Sequence, residues 1–146
     1  MLGCSFRPLL LPLAVSIGIA TLAGCNREPA VAQVKGQVLN LDGSVPRGAV
    51  RVVRFEPMSE NGAEVRKAAS GDIDPNDGSF ELYTRRPGDG VFLGDYAVTF
   101  AVLSDPHDMN SSLIAEKYTN SKATPYHVTV DGDVDDLKFE VEPLTP

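Results

Sequence analysis

A chain of 146 residues with 13 basic and 20 acidic side chains has a formal charge of −7 and no tryptophan. That acid balance repels phosphate backbones, and the adjacent basic pairs Arg66-Lys67 and Arg85-Arg86 are too few to offset it, which excludes nucleic-acid binding. Both cysteines, Cys4 and Cys25, fall in the first 25 residues, so no thiol beyond them is left for a disulfide, a nucleophile or a metal.

In chain order, Arg7 precedes an uncharged run from Pro8 to Gly24, rich in Leu, Ala, Ile and Val, that ends in Leu22-Ala23-Gly24-Cys25. This is the layout of a secretory signal. The tetrapeptide also resembles the lipobox of bacterial lipoproteins. The resemblance implies that segment 1–24 is removed and that Cys25 is the lipidation site, its sulfur carrying a diacylglycerol; no other cofactor is expected. One acyl chain holds a protein only marginally, at about 0.8 kcal/mol per buried methylene, whereas two or three on one residue hold it stably. Pro8 to Cys25 also reaches the 18 residues of a spanning helix, though Pro12, Gly18 and Gly24 weaken a helix there. Both readings export the rest of the chain, anchored to the cell membrane or the outer membrane and facing the periplasm or the exterior. The residue after the cysteine is Asn26, not the aspartate that in lipoprotein sorting retains a protein in the inner membrane.

From Cys25 onward 122 residues remain, with 12 basic and 20 acidic side chains, enough for one domain. Segment 25–33 is polar and reads as a lipid-anchored tether. Val34 to Leu39 alternates as a first strand. Asn40 to Gly48 is a turn cluster, and Ala49 to Glu56 is a second strand. Its Val50 and Val52 share one face while Val53 and Phe55 share the other, which requires either two covered faces or a bulge. Ala63 to Ser70 reads as an edge strand and Gly71 to Gly78 as a loop. Ser79 to Tyr83 and Asp95 to Phe100 are the cleanest alternating runs, placing Phe80, Leu82, Tyr96, Val98, Phe100 and Val102 in the core. Leu103 to Thr124 is a long irregular stretch, a length uncommon in a compact domain unless functional, with a short strand or helical turn over Ile114 to Tyr118. Tyr126 to Val130 and Leu137 to Val141 read as a terminal hairpin around Asp131-Gly132, and 143–146 as a tail. Seven short strands with Gly, Pro and Asp turns and no amphipathic helix predict an all-β sandwich.

Val34-Lys35-Gly36-Gln37-Val38, then Gly48 to Pro57, then Asp77-Gly78-Ser79-Phe80-Glu81-Leu82, then Gly94-Asp95-Tyr96-Ala97-Val98, then Ile114-Ala115-Glu116-Lys117-Tyr118 follow one another in an order that resembles the transthyretin-like, carboxypeptidase-regulatory-like domain of small planctomycete-type lipoproteins. An extra residue in the second strand and Ala115 in place of a usual proline depart from that pattern. The resemblance covers 34–142 and implies a seven-stranded Greek-key sandwich (prealbumin-like). It also implies a domain that is generally non-catalytic.

Candidate sites are few. Asp72, Asp74, Asn76 and Asp77 place oxygens at alternate positions, as Ca²⁺ requires. However, the glycine falls one position late for a calcium loop, and Tyr83 stands where a bidentate glutamate belongs. The competing reading is a turn whose carboxylates bind backbone amides. Asp131, Asp133, Asp135 and Asp136 form a second acidic turn. His107 and His127, the only imidazoles, are too few for zinc. Ser111 and Ser112 lack a nucleophile elbow, so no enzyme is expected, and Arg85 to Gly90 lacks the ending of a phosphate loop. Tyr83, Phe92 and Tyr126 remain as stacking platforms for a glycan. The expectation is a membrane-anchored, non-enzymatic module that meets envelope proteins or polysaccharide. The alternative is a glycan- or Ca²⁺-binding module using loops 72–78, 85–94 and 103–124.

Overall fold

The computed structural model describes residues 29–58 and 67–144. The expected leader over 1–24, the expected lipidation site Cys25 and the first residues of the expected tether lie outside the described residues. Among the described residues there is no α-helix. Nine strands carry the fold: β1 (Val31–Ala32), β2 (Val34–Asn40), β3 (Val50–Pro57), β4 (Ala69–Asp72), β5 (Ser79–Glu81), β6 (Val91–Phe92), β7 (Gly94–Leu103), β8 (His127–Val130) and β9 (Val134–Val141). They form a four-stranded sheet in the order β4-β3-β7-β8, a three-stranded sheet β5-β2-β9, and the pair β1-β6.

Alternation decides what the two larger sheets bury between them. Val53 and Phe55 of β3, with Tyr96, Val98, Phe100 and Val102 of β7, join Val34, Val38, Phe80, Leu82, Phe139 and Val141 in one cluster. All six residues expected at the core centre are there. Phe139 is the hub. Its ring centroid lies 5.1 Å from Tyr126, 5.5 Å from Phe100, 6.1 Å from Phe80 and 6.4 Å from Phe55. Rings from both sheets therefore meet on one side chain, each pair adding about 0.5–1.5 kcal/mol beyond area burial. Gly36 is needed beside them, because a Cβ there would sit 2.4 Å from the Leu137 carbonyl oxygen and 2.8 Å from Phe80 Cζ.

The two sides of the sandwich are closed differently. On one, Ser70 and Tyr83 exchange backbone hydrogen bonds of 2.9 and 3.0 Å and tie β4 to the segment following β5. On the other, the Tyr126 hydroxyl reaches the backbone of Glu140 on β9.

Several expectations need correction. The terminal hairpin does not form: β8 pairs with β7, while β9 crosses to the other sheet and runs parallel to β2. Alternation sets a strand's faces and leaves its partner open, and an Asp-Gly pair turns a chain between sheets as readily as within one. The last residues of the stretch expected as a tether, 25–33, belong to the fold: Val31–Ala32 pairs with β6, Ala32 is buried, and the Gln33 amide donates to Asp133 Oδ1 at 2.7 Å. The edge strand β4 begins later than expected and takes in Gly71 and Asp72, paired with Val53 and Val52; of the expected strand's start, 63–66 lies outside the described residues. β3 has no bulge. Its register with β7 is unbroken from Val50↔Leu103 to Pro57↔Tyr96, so both of its faces are covered instead. The helical turn in the long stretch is a 3-10 turn at Glu116–Tyr118.

The registers also define two ends. Val34, Pro57, Gly94, Val130 and Val134 lie at the end where the chain enters. Asn40, Val50, Asp72, Leu103 and Val141 lie at the far end.

Candidate functional site

The acidic turn at 72–78 sits at the far end, where the chain passes from β4 to β5. Asp72 belongs to the edge strand opposite Val52. Asp74 Oδ1 accepts from the Asn76 amide at 2.7 Å and from Asn76 Nδ2 at 2.9 Å, and Asp77 Oδ1 accepts from the Ser79 amide at 2.8 Å. Gln37 Nε2 donates to the Asp77 carbonyl at 2.6 Å. The Gly78 amide donates to the Asp74 carbonyl, while Gly78, at φ 77°, places its own carbonyl against the Val38 amide. These are Asx turns that clip the loop to β2. The Ser79 hydroxyl and amide hold the Asp77 carboxyl below its ordinary value. Among the described residues no three His, Cys, Asp or Glu side chains gather as a metal site.

The loop between β5 and β6 is equally self-contained. Asp89 accepts from the amides of Thr84 (2.8 Å), Arg85 (2.9 Å) and Arg86 (3.2 Å), and the Thr84 hydroxyl donates to the Gly90 carbonyl at 2.8 Å. Desolvation pushes the Asp89 carboxyl up. The three amides and the Arg86 guanidinium outweigh it, and the net direction is down. The glycines and arginines here encircle a carboxylate of the same loop, so the anion this loop wraps is its own.

Of the second acidic turn, Asp133 holds the Gln33 amide while Asp131, Asp135 and Asp136 are exposed. His107 and His127 are both exposed. The Ser111 hydroxyl donates to the carbonyls of Asp105 (3.1 Å) and Asp108 (2.6 Å), and that of Ser112 to the Ile114 carbonyl (3.0 Å). Both serines staple their loop. The three expected stacking platforms lie apart in the fold. Tyr126 stacks on buried Tyr118 at 6.1 Å and meets Phe100 and Phe139 edge-on. Tyr83 and Phe92 are half-buried, with their backbones held by the bridge to Ser70 and the pairing with Val31.

What the structure does assemble is a groove of about 340 Å³ on the outer face of the four-stranded sheet. Its floor is Val50 and Val52 of β3 with Ala101 and Leu103 of β7, which are cross-strand partners. Its lip is the loop 104–111. Leu103 bridges Ser112, the Ser104 amide donates to the Ser111 carbonyl at 3.0 Å, and the Leu113 amide donates to the Val102 carbonyl at 2.8 Å, so the loop folds back over the sheet. Pro106 and Met109 line it from above, with Met109 76% exposed. Arg54, Glu56 and Thr99 make the other end polar, and the Thr99 hydroxyl donates to Glu56 Oε1 at 3.3 Å.

This groove explains the second apolar face of β3. Its lip lies in the loop 103–124 named in the alternative reading, but its floor was missed because the sequence shows Val50 and Val52 without showing what covers them; the signal was the combination of a doubly apolar strand with a long irregular stretch. Chemically it offers an apolar floor, a flexible thioether and one polar end, which suits non-covalent capture of an elongated, mostly apolar group. Compared with protein-family models, with curated proteins and with solved structures, the chain matches none of them.

Proposed function

We propose that this chain is an exported, lipid-anchored, non-enzymatic β-sandwich that works as an interaction module of the cell envelope and engages its partner through the groove beneath loop 104–111. The observation that carries the reading is the groove itself: an apolar floor on the outward face of a sheet whose inward face already holds the core. The expected acylation of Cys25 supports the location. The parallel pairing of first and last long strands, and a division into three and four strands once β1-β6 is set aside, support the Greek-key, transthyretin-like topology. Glycan or Ca²⁺ capture by loops 72–78 and 85–94 is less well supported, because their carboxylates already serve as acceptors for nearby amides.

The test is recovery of envelope components by the acylated protein, compared with Cys25→Ser and Ala101→Arg. Ala101 lies on the groove floor, so arginine there fills the groove without entering the core. The expected outcome is a component retained by the wild type and lost from Ala101→Arg at unchanged melting temperature. Recovery no better than Cys25→Ser, or equal recovery by Ala101→Arg, overturns the reading.

A further inference from the structure

We propose that the end where the chain enters rests on the bilayer carrying its anchor, through an apolar patch of Val31, Met58, Phe92 and Leu93. The inference rests on the anchor reading above. Val31 and Phe92 are direct partners across β1-β6, as are Ala32 and Val91. Ala32 and Val91 are buried, so alternation turns Val31 and Phe92 to the outside. Val31 is 49% exposed, and Leu93, whose amide donates to the Ala30 carbonyl at 3.3 Å, is 39% exposed. Met58 is 52% exposed just past β3, its amide donating to the Asp95 carbonyl at 2.9 Å two residues beyond Leu93. Backbone bonds thus hold these outward apolar groups at one end.

The length of chain ahead of β1 decides what covers them. Only residues 26–30 separate Cys25 from Val31. Fully extended, that stretch spans at most roughly 20 Å, so acyl chains on Cys25 confine the patch to the neighbourhood of the headgroups. Confinement by so short a linker raises the effective concentration of surface for patch to the millimolar range. A contact too weak to recruit a free protein is then occupied, since each Å² of apolar area removed from water contributes about 25 cal/mol. Arg85 and Arg86 are exposed at this end, but so are Asp95 and Asp131. The contact is therefore carried by apolar area and is insensitive to salt.

Rigid docking also orients the molecule, with the entrance end down and the turns at 41–49, 72–78 and 104–112 away from the membrane. The test uses the full chain, purified from membranes and reconstituted in phosphatidylcholine vesicles, with single cysteines Leu93→Cys and Leu144→Cys carrying a polarity-sensitive fluorophore. Mass spectrometry first reads acylation of Cys25; an unacylated chain overturns the anchor reading and this one together. With acylation present, the expected result is blue-shifted emission at 93 and several-fold stronger quenching there by nitroxide-bearing lipid than at 144. Equal quenching at the two positions overturns the docking alone. So does a blue shift at 93 that lipid nitroxide leaves unquenched, because the patch is then covered by a second copy.

Discussion

The Tyr126 hydroxyl donates to the Glu140 carbonyl at 2.6 Å and accepts from the amide of the same residue at 3.1 Å. One side chain thus occupies both backbone groups of a residue on β9, an edge strand of the three-stranded sheet. Unpaired edges template association with other strands, and here the edge is plugged at Glu140 and flanked by the charges of Asp135, Asp136 and Lys138. Tyr126→Phe keeps the ring in the aromatic cluster and removes only the plug. We expect a loss of about 1 kcal/mol, read as a lower urea midpoint at unchanged slope, together with concentration-dependent association. An unchanged midpoint would show that water replaces the hydroxyl without loss.

Phe139 is the contact point of four other rings. Its truncation to alanine should cost about 3–5 kcal/mol, a large part of the 5–15 kcal/mol typical of a domain, and leave the protein largely unfolded near its physiological temperature. Phe139→Leu keeps most of the volume and should cost appreciably less. Circular dichroism melts of the two variants decide whether the rings act as one cluster.

Gly36→Ala has no space to enter, with the Leu137 carbonyl and the Phe80 ring both inside contact distance of the new methyl. The backbone atom cannot swing aside as a flexible side chain would, so β2 must separate from β9 or β5. The expected outcome is a loss of more than about 2 kcal/mol, beyond an ordinary overpacking cost. Gly43→Ala meets nothing within 4 Å, but its φ of 80° makes the substitution a control for backbone strain alone. A Gly36→Ala protein as stable as Gly43→Ala would contradict the packing described.

Three turn carboxylates set the acid limb of stability. Asp42, held by the Ser44 hydroxyl and amide, Asp77, held by Ser79, and Asp89, held by three amides against desolvation, all have carboxyls held below their ordinary value in the fold. A depressed folded value stabilises above the unfolded value and is lost as pH falls through the folded one. The melting temperature should therefore be flat near neutrality and fall below about pH 4, with a shallower fall in Asp89→Asn. Tyr96 acts in the opposite direction. Burial pushes its phenol above the ordinary value, so its contribution is present below the unfolded value and lost as pH rises through the folded one. Tyr96→Phe should remove this alkaline loss while costing the hydrogen bond to the Phe92 carbonyl.

Calcium should leave the melting temperature unmoved. Any ligand that binds only the native state raises it by mass action, and Asp74 and Asp77 face the amides of Asn76 and Ser79. A calorimetric shift with millimolar Ca²⁺ that Asp74→Ala abolishes would restore the ion-binding reading.

The faces of strands were legible in the sequence, and their partners were not. The alternation around Phe80 and Tyr96 identified which side chains face inward, because that depends only on neighbours two residues away. The pairing of Gly36 with Leu137, or of Val31 with Phe92, depends on segments far apart in the chain, and nothing local marks it. The acidic turns were readable for the opposite reason: Asp74 and Asp77 bind amides two residues on, a contact decided within one loop. The groove needed both kinds of information. Val50 and Val52 announced a second apolar face, but only the fold-back of 104–111 shows what lies over it.

The parallel strands β2 and β9 join the first long segment of the domain to the last, over about a hundred residues. Closing so wide a loop is entropically slow, and β2 has no neighbour on that side until residues near 140 exist. A chain emerging from a ribosome thus cannot complete its three-stranded sheet until β9, about a hundred residues after β2, has appeared. Until then β2 has only β5 beside it, and its other edge stands open to any strand that meets it.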